Sequence, residues 1–399
     1  MKTVIVVGTG KNQLSLLTEL RRQNYNIIGF DRDSKSPGKI LCNKFEEIST
    51  WDFEGAIKWL KSLNITFSGV ACFSYGNAVY TQQMIAYYFQ LPLLTPSRMF
   101  LEMTRNKYFL REKLNSASMS NLKDFVINRN TNQIMLPFKN KERYVLKPLT
   151  GGSSMDIKII HNKSEYNEKL KMMLMKYTEV LIQPFLSGKE YRATCIIKDK
   201  QLKFLKVFKK ENFRDTFFTS RLKTINKEAV YKQFIIFLEE LVEKFSIQTT
   251  VLKIDFIYLG QHIEVIEIDI GRPGDYLDES FCKSICTYNF VQNYINLIFE
   301  RDVKKHLKSI KSLGIFDYLY RINAENFSVN YNIINEAIKQ KIKGPYELIK
   351  IQDDGDVAKI PKGNFDAICG IIHKDESISN YSLNKYINDY LINNDKKGS

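Results

Sequence analysis

The sequence predicts an α/β fold that passes into an α+β fold, and three observations carry that expectation. The first hundred residues alternate short apolar runs with segments of helical periodicity. Near Asn106 the pattern changes to a strand-rich stretch that runs to about Ile268. Beyond about Arg301 both periodicities continue in shorter pieces. Regular alternation of strand and helix points to a parallel sheet covered on both faces; runs of strands followed by isolated helices point to α+β layers.

Element by element, residues 3–7 read as a buried strand, and residues 12–22 as a helix with Leu14, Leu17 and Leu20 at helical spacing. Residues 26–30 form a second strand, 54–63 a helix, 67–73 a third strand and 77–89 a further helix. From Asn106 come a lysine-bearing helix, a strand ending in Lys147-Pro148, a glycine-serine loop and a β-rich stretch to Lys210. An amphipathic helix then shows Val230, Phe234, Phe237, Leu238, Leu241, Val242 and Phe245 on one face. Residues 251–258 and 262–268 are two strands joined by a turn at Gly260. In the last hundred residues, 333–342 and 383–391 read as helix, 347–352 and 367–372 as strand.

A chain of 399 residues, 44% hydrophobic and 26% charged, has room for two or three domains with substantial cores. No apolar run approaches the roughly 20 residues of a membrane span. The six cysteines are scattered rather than arranged as a disulfide framework, which suggests reduced thiols and a cytoplasmic setting. The net charge of +15 comes from lysines dispersed among acidic residues, with no arginine-rich tract. It therefore argues for an anionic ligand and a generally basic surface rather than for nucleic acid.

Four residue groups carry chemistry. Gly8-Thr9-Gly10 with Asp31 is a partial dinucleotide fingerprint; Gln13 stands where a third glycine is expected, so a tight strand-to-helix turn without nucleotide is the better reading. Lys147 closes a strand just before the loop Thr150-Gly151-Gly152-Ser153-Ser154-Met155. Glycine backbone amides, hydroxyls and a lysine point charge suit phosphate oxygens, although a plain hairpin would look similar. Gln183-Pro184-Phe185-Leu186-Ser187-Gly188-Lys189-Glu190 runs from an apolar strand into a turn whose backbone can pair an adenine edge, although by itself an ordinary strand and turn explains it as well. Finally, Glu267 and Asp269 share one face of a strand, and the Gly260 turn can bring Asp255 beside them. Three acids set among apolar residues make a poor core and a good Mg²⁺ cage.

Together and in this order, these groups resemble the ATP-grasp superfamily over roughly residues 1–300, closest to its carboxylate–amine ligases, which include amino-acid ligases. The resemblance implies a Rossmann-like domain at 1–104, an ATP-grasp fold at 105–300 with a lid at about 118–185, and a small α+β cap at 301–399. It implies ATP and Mg²⁺ or Mn²⁺ as cofactors. Lys107 and Lys147 would meet ATP phosphates, and Gly151, Gly152, Ser153 and Ser154 would cover them. Gln183, Phe185 and Leu186 would form the adenine hinge, Glu190 would meet the ribose, and Asp255, Glu267 and Asp269 would hold metal. The family usually has Asn where Asp269 stands and its arginine two residues later; here Gly271 holds that place and Arg272 follows, which implies a local bulge if Arg272 is the catalytic arginine.

The activity so implied is an ADP-forming ligation of a small-molecule carboxylate, amino-acid-like, to an amine through an acyl-phosphate, with Lys147 and Arg272 assisting. A homodimer through the N-terminal domain is common among proteins of this kind. Bicarbonate-using carboxylation or carbamoyl-phosphate chemistry on the same scaffold, a nicotinamide oxidoreductase and a non-catalytic ATP-binding module remain alternatives. The four histidines are scattered and form no Ser/His/Asp or Cys/His arrangement.

Overall fold

The structure is a computed structural model that describes residues 2–94, 97–130, 143–149, 156–214, 216–226, 228–272, 274, 280–286, 288–307 and 314–398. The chain forms two compact units. One takes Met1–Met119, Arg192–Val207 and Lys227–Ser309, the other Ser120–Tyr191, Phe208–Asn226 and Ile310–Ser399.

The first unit opens with four parallel strands, β1 (Thr3–Val7), β2 (Asn26–Asp31), β3 (Lys44–Glu47) and β4 (Gly69–Ala71), in the order β3-β2-β1-β4. Val4 through Val7 are wholly buried, as an unbroken apolar run requires in a sheet covered on both faces. Because the chain steps from β1 to β2 to β3 and then returns to the far side of β1, the strand order reverses at β1 and leaves a crevice beyond the carboxyl ends. Helices α1 (Leu14–Arg22), α2 (Phe53–Ser62) and α3 (Asn77–Tyr88) connect and cover the strands. Leu14 lies outside the core expected of it: a 3₁₀ turn at Lys11–Gln13 rotates the helix start, so that Leu16, Leu17 and Leu20 are the buried leucines. Gln13 is buried, and its amide donates to the Phe73 carbonyl and accepts from the Phe73 N–H, both at 2.8 Å. This bracket does the helix-to-strand tying for which a dinucleotide fingerprint uses its third glycine.

Helices α4 (Arg98–Arg105) and α5 (Lys107–Ser116) follow. In the second unit, β5 (Phe125–Asn128), β6 (Tyr144–Pro148), β7 (Lys158–Ile160), α6 (Lys163–Lys176) and β8 (Glu179–Pro184) build an antiparallel sheet in the order β5-β8-β6-β7 with one helix on it. Tyr144, Leu146, Val180 and Ile182 pack with Tyr166 and Met173 of α6. The alternate residues Lys147 and Gln183 therefore belong to the other face.

Strands β9 (Lys189–Lys198) and β10 (Gln201–Asn212) each contribute residues to both units; β11 (Thr219–Thr224) belongs to the second. In the first unit α7 (Glu228–Lys244), β12 (Thr250–Tyr258) and β13 (Ile263–Ile270) follow, with strand order β13-β12-β9-β10. Val230, Phe234, Phe237, Leu238 and Leu241 form the buried stripe of α7, and Phe234 stacks on Phe256 of β12 at 5.0 Å. After the short α8 (Cys282–Ile285), α9 (Phe290–Ile298) returns to β4, where the Tyr294 hydroxyl donates to the Cys72 carbonyl at 2.7 Å.

The second unit ends with β14 (Ile315–Leu319), α10 (Tyr331–Lys341), β15 (Glu347–Lys350), β16 (Cys369–His373) and α11 (Asn380–Gly398), in an antiparallel order β10-β11-β14-β16-β15. Asp317 is fully buried there because its charge is matched: Arg221 donates to both oxygens at 2.6 and 2.7 Å, His373 lies at 2.8 Å and Asn380 donates at 3.0 Å. Burial pushes its carboxyl up, but Arg221 and His373 together hold it below the ordinary carboxylate value. The chain thus combines one parallel α/β sheet with antiparallel α+β sheets. Among the described residues no helix is long and apolar enough to cross a membrane.

Candidate nucleotide and metal site

The acids of the β12–β13 hairpin are placed by strand register. Asp255 pairs with Glu267 and Lys253 with Asp269, so all four side chains share one face, while Leu252, Ile254, Ile268 and Ile270 fill the opposite one. A bulge between Asp255 and Phe256 then shifts the register, and nearer the turn the buried Glu264 pairs with Ile257.

Each acid in this row has a cation. Lys253 lies 2.9 Å from Glu267 Oε1 and 2.6 Å from Asp269 Oδ2. Arg192 of β9 grips both oxygens of the buried Asp255 at 2.7 Å. Burial works against the charge on Glu267, yet Lys253 overrules it and holds the carboxyl down to about 2. Burial prevails at Asp269 and raises its carboxyl, and the two acids together hold the Lys253 ammonium above its ordinary value against burial. Lysine is thus a fixed charge at this site, and the two acids divide its field unequally.

Lys107 reaches the same charge cluster from α5. Asn106 caps that helix, its side-chain oxygen accepting from Tyr108 N and Phe109 N at 3.0 Å each, which leaves Lys107 as the first helical residue. One turn on, Arg111 donates to Glu264 at 2.9 Å and to the Val265 carbonyl at 2.8 Å, pinning α5 on β13. The Lys107 charge accordingly lowers the Glu267 carboxyl further.

Arg272 follows Gly271, whose φ of +104° turns the chain out of β13. A Cβ at Gly271 would stand 2.5 Å from the Ser74 carbonyl oxygen, so only glycine fits. Arg272 is buried; its N–H donates to that same carbonyl at 3.0 Å, and its guanidinium lies over Phe73 and donates to the Asn12 carbonyl at 3.2 Å. The offset arginine is therefore seated by a left-handed turn and faces the carboxyl ends of the parallel strands.

The other expected contacts lie in the second unit. Lys147 is buried on β6, opposite Leu181, and shares a sheet face with Gln183, which pairs with Val145. Gln183 donates to the buried Asp124. The Phe185 N–H donates to the Arg143 carbonyl at 2.8 Å and the Arg143 guanidinium covers the Phe185 ring at 4.0 Å; Leu186, half-buried, follows on the turn. Glu190 is held by Lys210 and, at 3.1 Å, by Asn212. Gly151, Gly152, Ser153 and Ser154 lie outside the described residues.

Sequence reasoning passed over Lys253, Asp124, Arg143 and Asn212. Of these only Lys253 had a signal: it stands two residues before Asp255 on the same strand face, where three acids demand a counter-charge. Among the described residues no three acids, thiols or imidazoles enclose an ion by themselves. The donor set still fits Mg²⁺: Lys253 binds one oxygen each of Glu267 and Asp269, and this ion takes one or two carboxylates plus phosphate oxygens.

Residues 104–270 match the ATP-grasp domain family. A D-alanine–D-alanine ligase of Petrotoga mobilis is 34% identical over 88 residues, which are 21% of this chain; the match spans 29% of the length of that relative. An L-amino acid ligase from Bacillus licheniformis superposes with a TM-score of 0.74 at 16% identity, covering 98% of both chains. An N5-carboxyaminoimidazole synthetase from Staphylococcus aureus, complexed with ADP, superposes with a TM-score of 0.72 at 12% identity, covering 97% of this chain and 96% of that one. At these identities the solved structures speak for the fold. The hairpin acids and Lys107 all lie inside the segment, residues 104–270, that matches the ATP-grasp domain.

Proposed function

We propose that this protein is an ATP-dependent, ADP-forming ligase that joins an amino-acid-like carboxylate to an amine. The observation that carries the reading is the Asp255–Glu267–Asp269 row on one face of the β12–β13 hairpin, with Lys253 and Lys107 beside it, inside the segment that matches the ATP-grasp domain. A substrate carboxylate oxygen attacks the γ-phosphorus of ATP and ADP leaves. The amine nitrogen then attacks the acyl carbon, inorganic phosphate leaves and the nitrogen gives up its proton.

Asp255, Glu267 and Asp269 would hold Mg²⁺ or Mn²⁺, which when bound neutralises charge on the transferring phosphoryl group. Lys107 and Lys147 bind phosphate oxygens as fixed point charges, and Arg272 meets the charge that develops on the substrate side. Gln183, Phe185 and Leu186 offer the adenine edge a backbone hinge, and Glu190, oriented by Lys210 and Asn212, accepts from the ribose. The test is ADP release with Mg²⁺ and ATP across pairs of amino acids and sugar acids. Release that depends on both members of a pair supports ligation; ATP binding without acceptor-dependent ADP in any pair would reduce the protein to an ATP-binding module.

A further inference from the structure

The first unit also buries a lysine and two thiols that the proposed ligation does not use. Lys206 of β10 is wholly buried, an expensive place for an ammonium. Cys282 opens α8 and Cys286 follows its last residue, one helical turn on; the Cys286 N–H donates to the Cys282 carbonyl at 3.0 Å. The Cys286 thiol lies 2.9 Å from the same carbonyl oxygen, and its sulfur accepts from the Cys282 thiol. One turn of helix sets the two Cα atoms about 6 Å apart, inside the roughly 4.4–6.8 Å that a disulfide tolerates. Cys286 has already left helical dihedrals, with φ −151° and ψ 52°, so a bond to Cys282 unwinds no residue of α8.

The surroundings single out Cys286. The Cys282 thiol and the Lys206 ammonium hold it below the ordinary thiol value against burial. Burial pushes Cys42, Cys72, Cys195 and Cys369 the other way. Burial pulls the Lys206 ammonium down, and the same two sulfurs oppose it. Tyr288, stacked on Phe204 at 4.3 Å, brings a buried hydroxyl with no hydrogen-bond partner among the described residues. Burial pushes that phenol up and the two sulfurs push it further. An orphaned donor beside a nucleophilic sulfur suits an oxygen arriving there. Cys282 is sealed, whereas Cys286 keeps 9% of its surface exposed, so a small oxidant meets Cys286 first.

We propose that Cys282 and Cys286 are a peroxide-sensitive pair in which Cys286 attacks, Cys282 resolves and Lys206 supplies the activating charge. The Cys286 sulfur, its proton released to solvent, attacks one oxygen of hydrogen peroxide. The O–O bond breaks, and hydroxide leaves and takes up a proton as water. The Cys282 sulfur then attacks the sulfenic sulfur; an S–S bond forms, and the hydroxyl departs with the Cys282 proton as a second water. Two thiols lose two electrons to the peroxide, and a thiol reductant restores them. None of this depends on the ligase reading.

The full chain is reduced, freed of reductant and treated with hydrogen peroxide, then alkylated, denatured and cut with trypsin. Cleavage after Lys283 parts the two cysteines, so mass spectrometry finds their fragments joined only where a disulfide links them. The proposal expects joined fragments before the partly exposed Cys42 loses its thiol, and their separation by dithiothreitol. On wild type the rate should reach half its maximum below pH 9.0, the ordinary thiol value. Cys282→Ser should stop at a Cys286 sulfenic acid that dimedone traps, and Lys206→Met should slow the reaction at least about tenfold. The pH profile needs no variant, so the activation stays testable if Lys206→Met does not fold. Joined fragments that never form, Cys42 oxidised first, or a half-maximal rate at or above pH 9.0 would overturn the proposal.

Discussion

Lys253 touches two acids and Arg192 grips a third, yet the two arrangements respond differently to the loss of a carboxylate. Asp255 binds both prongs of a buried guanidinium. Asp255→Ala should therefore cost about 3–5 kcal/mol in urea unfolding, the usual penalty for stranding one member of a buried pair. Glu267→Gln leaves Lys253 bound to Asp269, so it should lose stability at neutral pH but less than Asp255→Ala. Equal losses in the two variants would contradict this division of charge. Glycine gives a second contrast. Gly260→Ala meets open space at φ +94° and should cost roughly 1–2 kcal/mol for backbone strain alone. Gly271→Ala adds a 2.5 Å clash with the Ser74 carbonyl and displaces Arg272, so it should lose more stability and, unlike Gly260→Ala, acceptor-dependent ADP release.

Elements were legible where one periodicity ruled a long segment. The α7 stripe and the two strands around the Gly260 turn read directly from Val230 to Ile268, whereas the bulge that sets Asp255 opposite Glu267 left no signal in the alternation. Short or polar elements did not announce themselves. Strand β3 is four residues of which none is buried, so it carries no apolar signal, and β14 is buried on both faces, so it has no alternation to read. Side-chain anchors such as Arg111 on Glu264 join residues more than a hundred positions apart and leave no local trace. The connection between α10 and α11 gives a prediction at this scale. Asp375 accepts from the Ser377 hydroxyl and from the backbone N–H groups of Lys343 and Ser377, which hold its carboxyl at about 2 against an ordinary 3.8. A lowered folded value stabilises above the ordinary value and is lost as pH falls toward the folded one. Asp375→Asn should thus melt below wild type at neutral pH, with the gap closing between pH 3.8 and about 2. A gap independent of pH would show that the carboxylate charge contributes nothing.

At the scale of the molecule, the residues assigned to nucleotide and metal are divided between two compact units: Lys107, Asp255, Glu267, Asp269 and Arg272 in one, Lys147, Gln183, Phe185, Leu186 and Glu190 in the other. The order of motifs along the chain was readable in the sequence; of the counter-charges, Arg192 comes from a distant strand and left no local trace, while Lys253, two residues before Asp255, was legible and passed over. The central claim is that the hairpin acids serve phosphoryl transfer, and one comparison tests it most directly: Mg-ATP-dependent ADP release by wild type and by Glu267→Gln with a working substrate pair, alongside the melting temperature of each with and without Mg-ATP. The account predicts a fall of about 10²–10³ in ADP release, a folded protein without ligand, and a smaller gain on adding Mg-ATP. Full turnover in Glu267→Gln, with the same thermal gain from Mg-ATP as wild type, would contradict it.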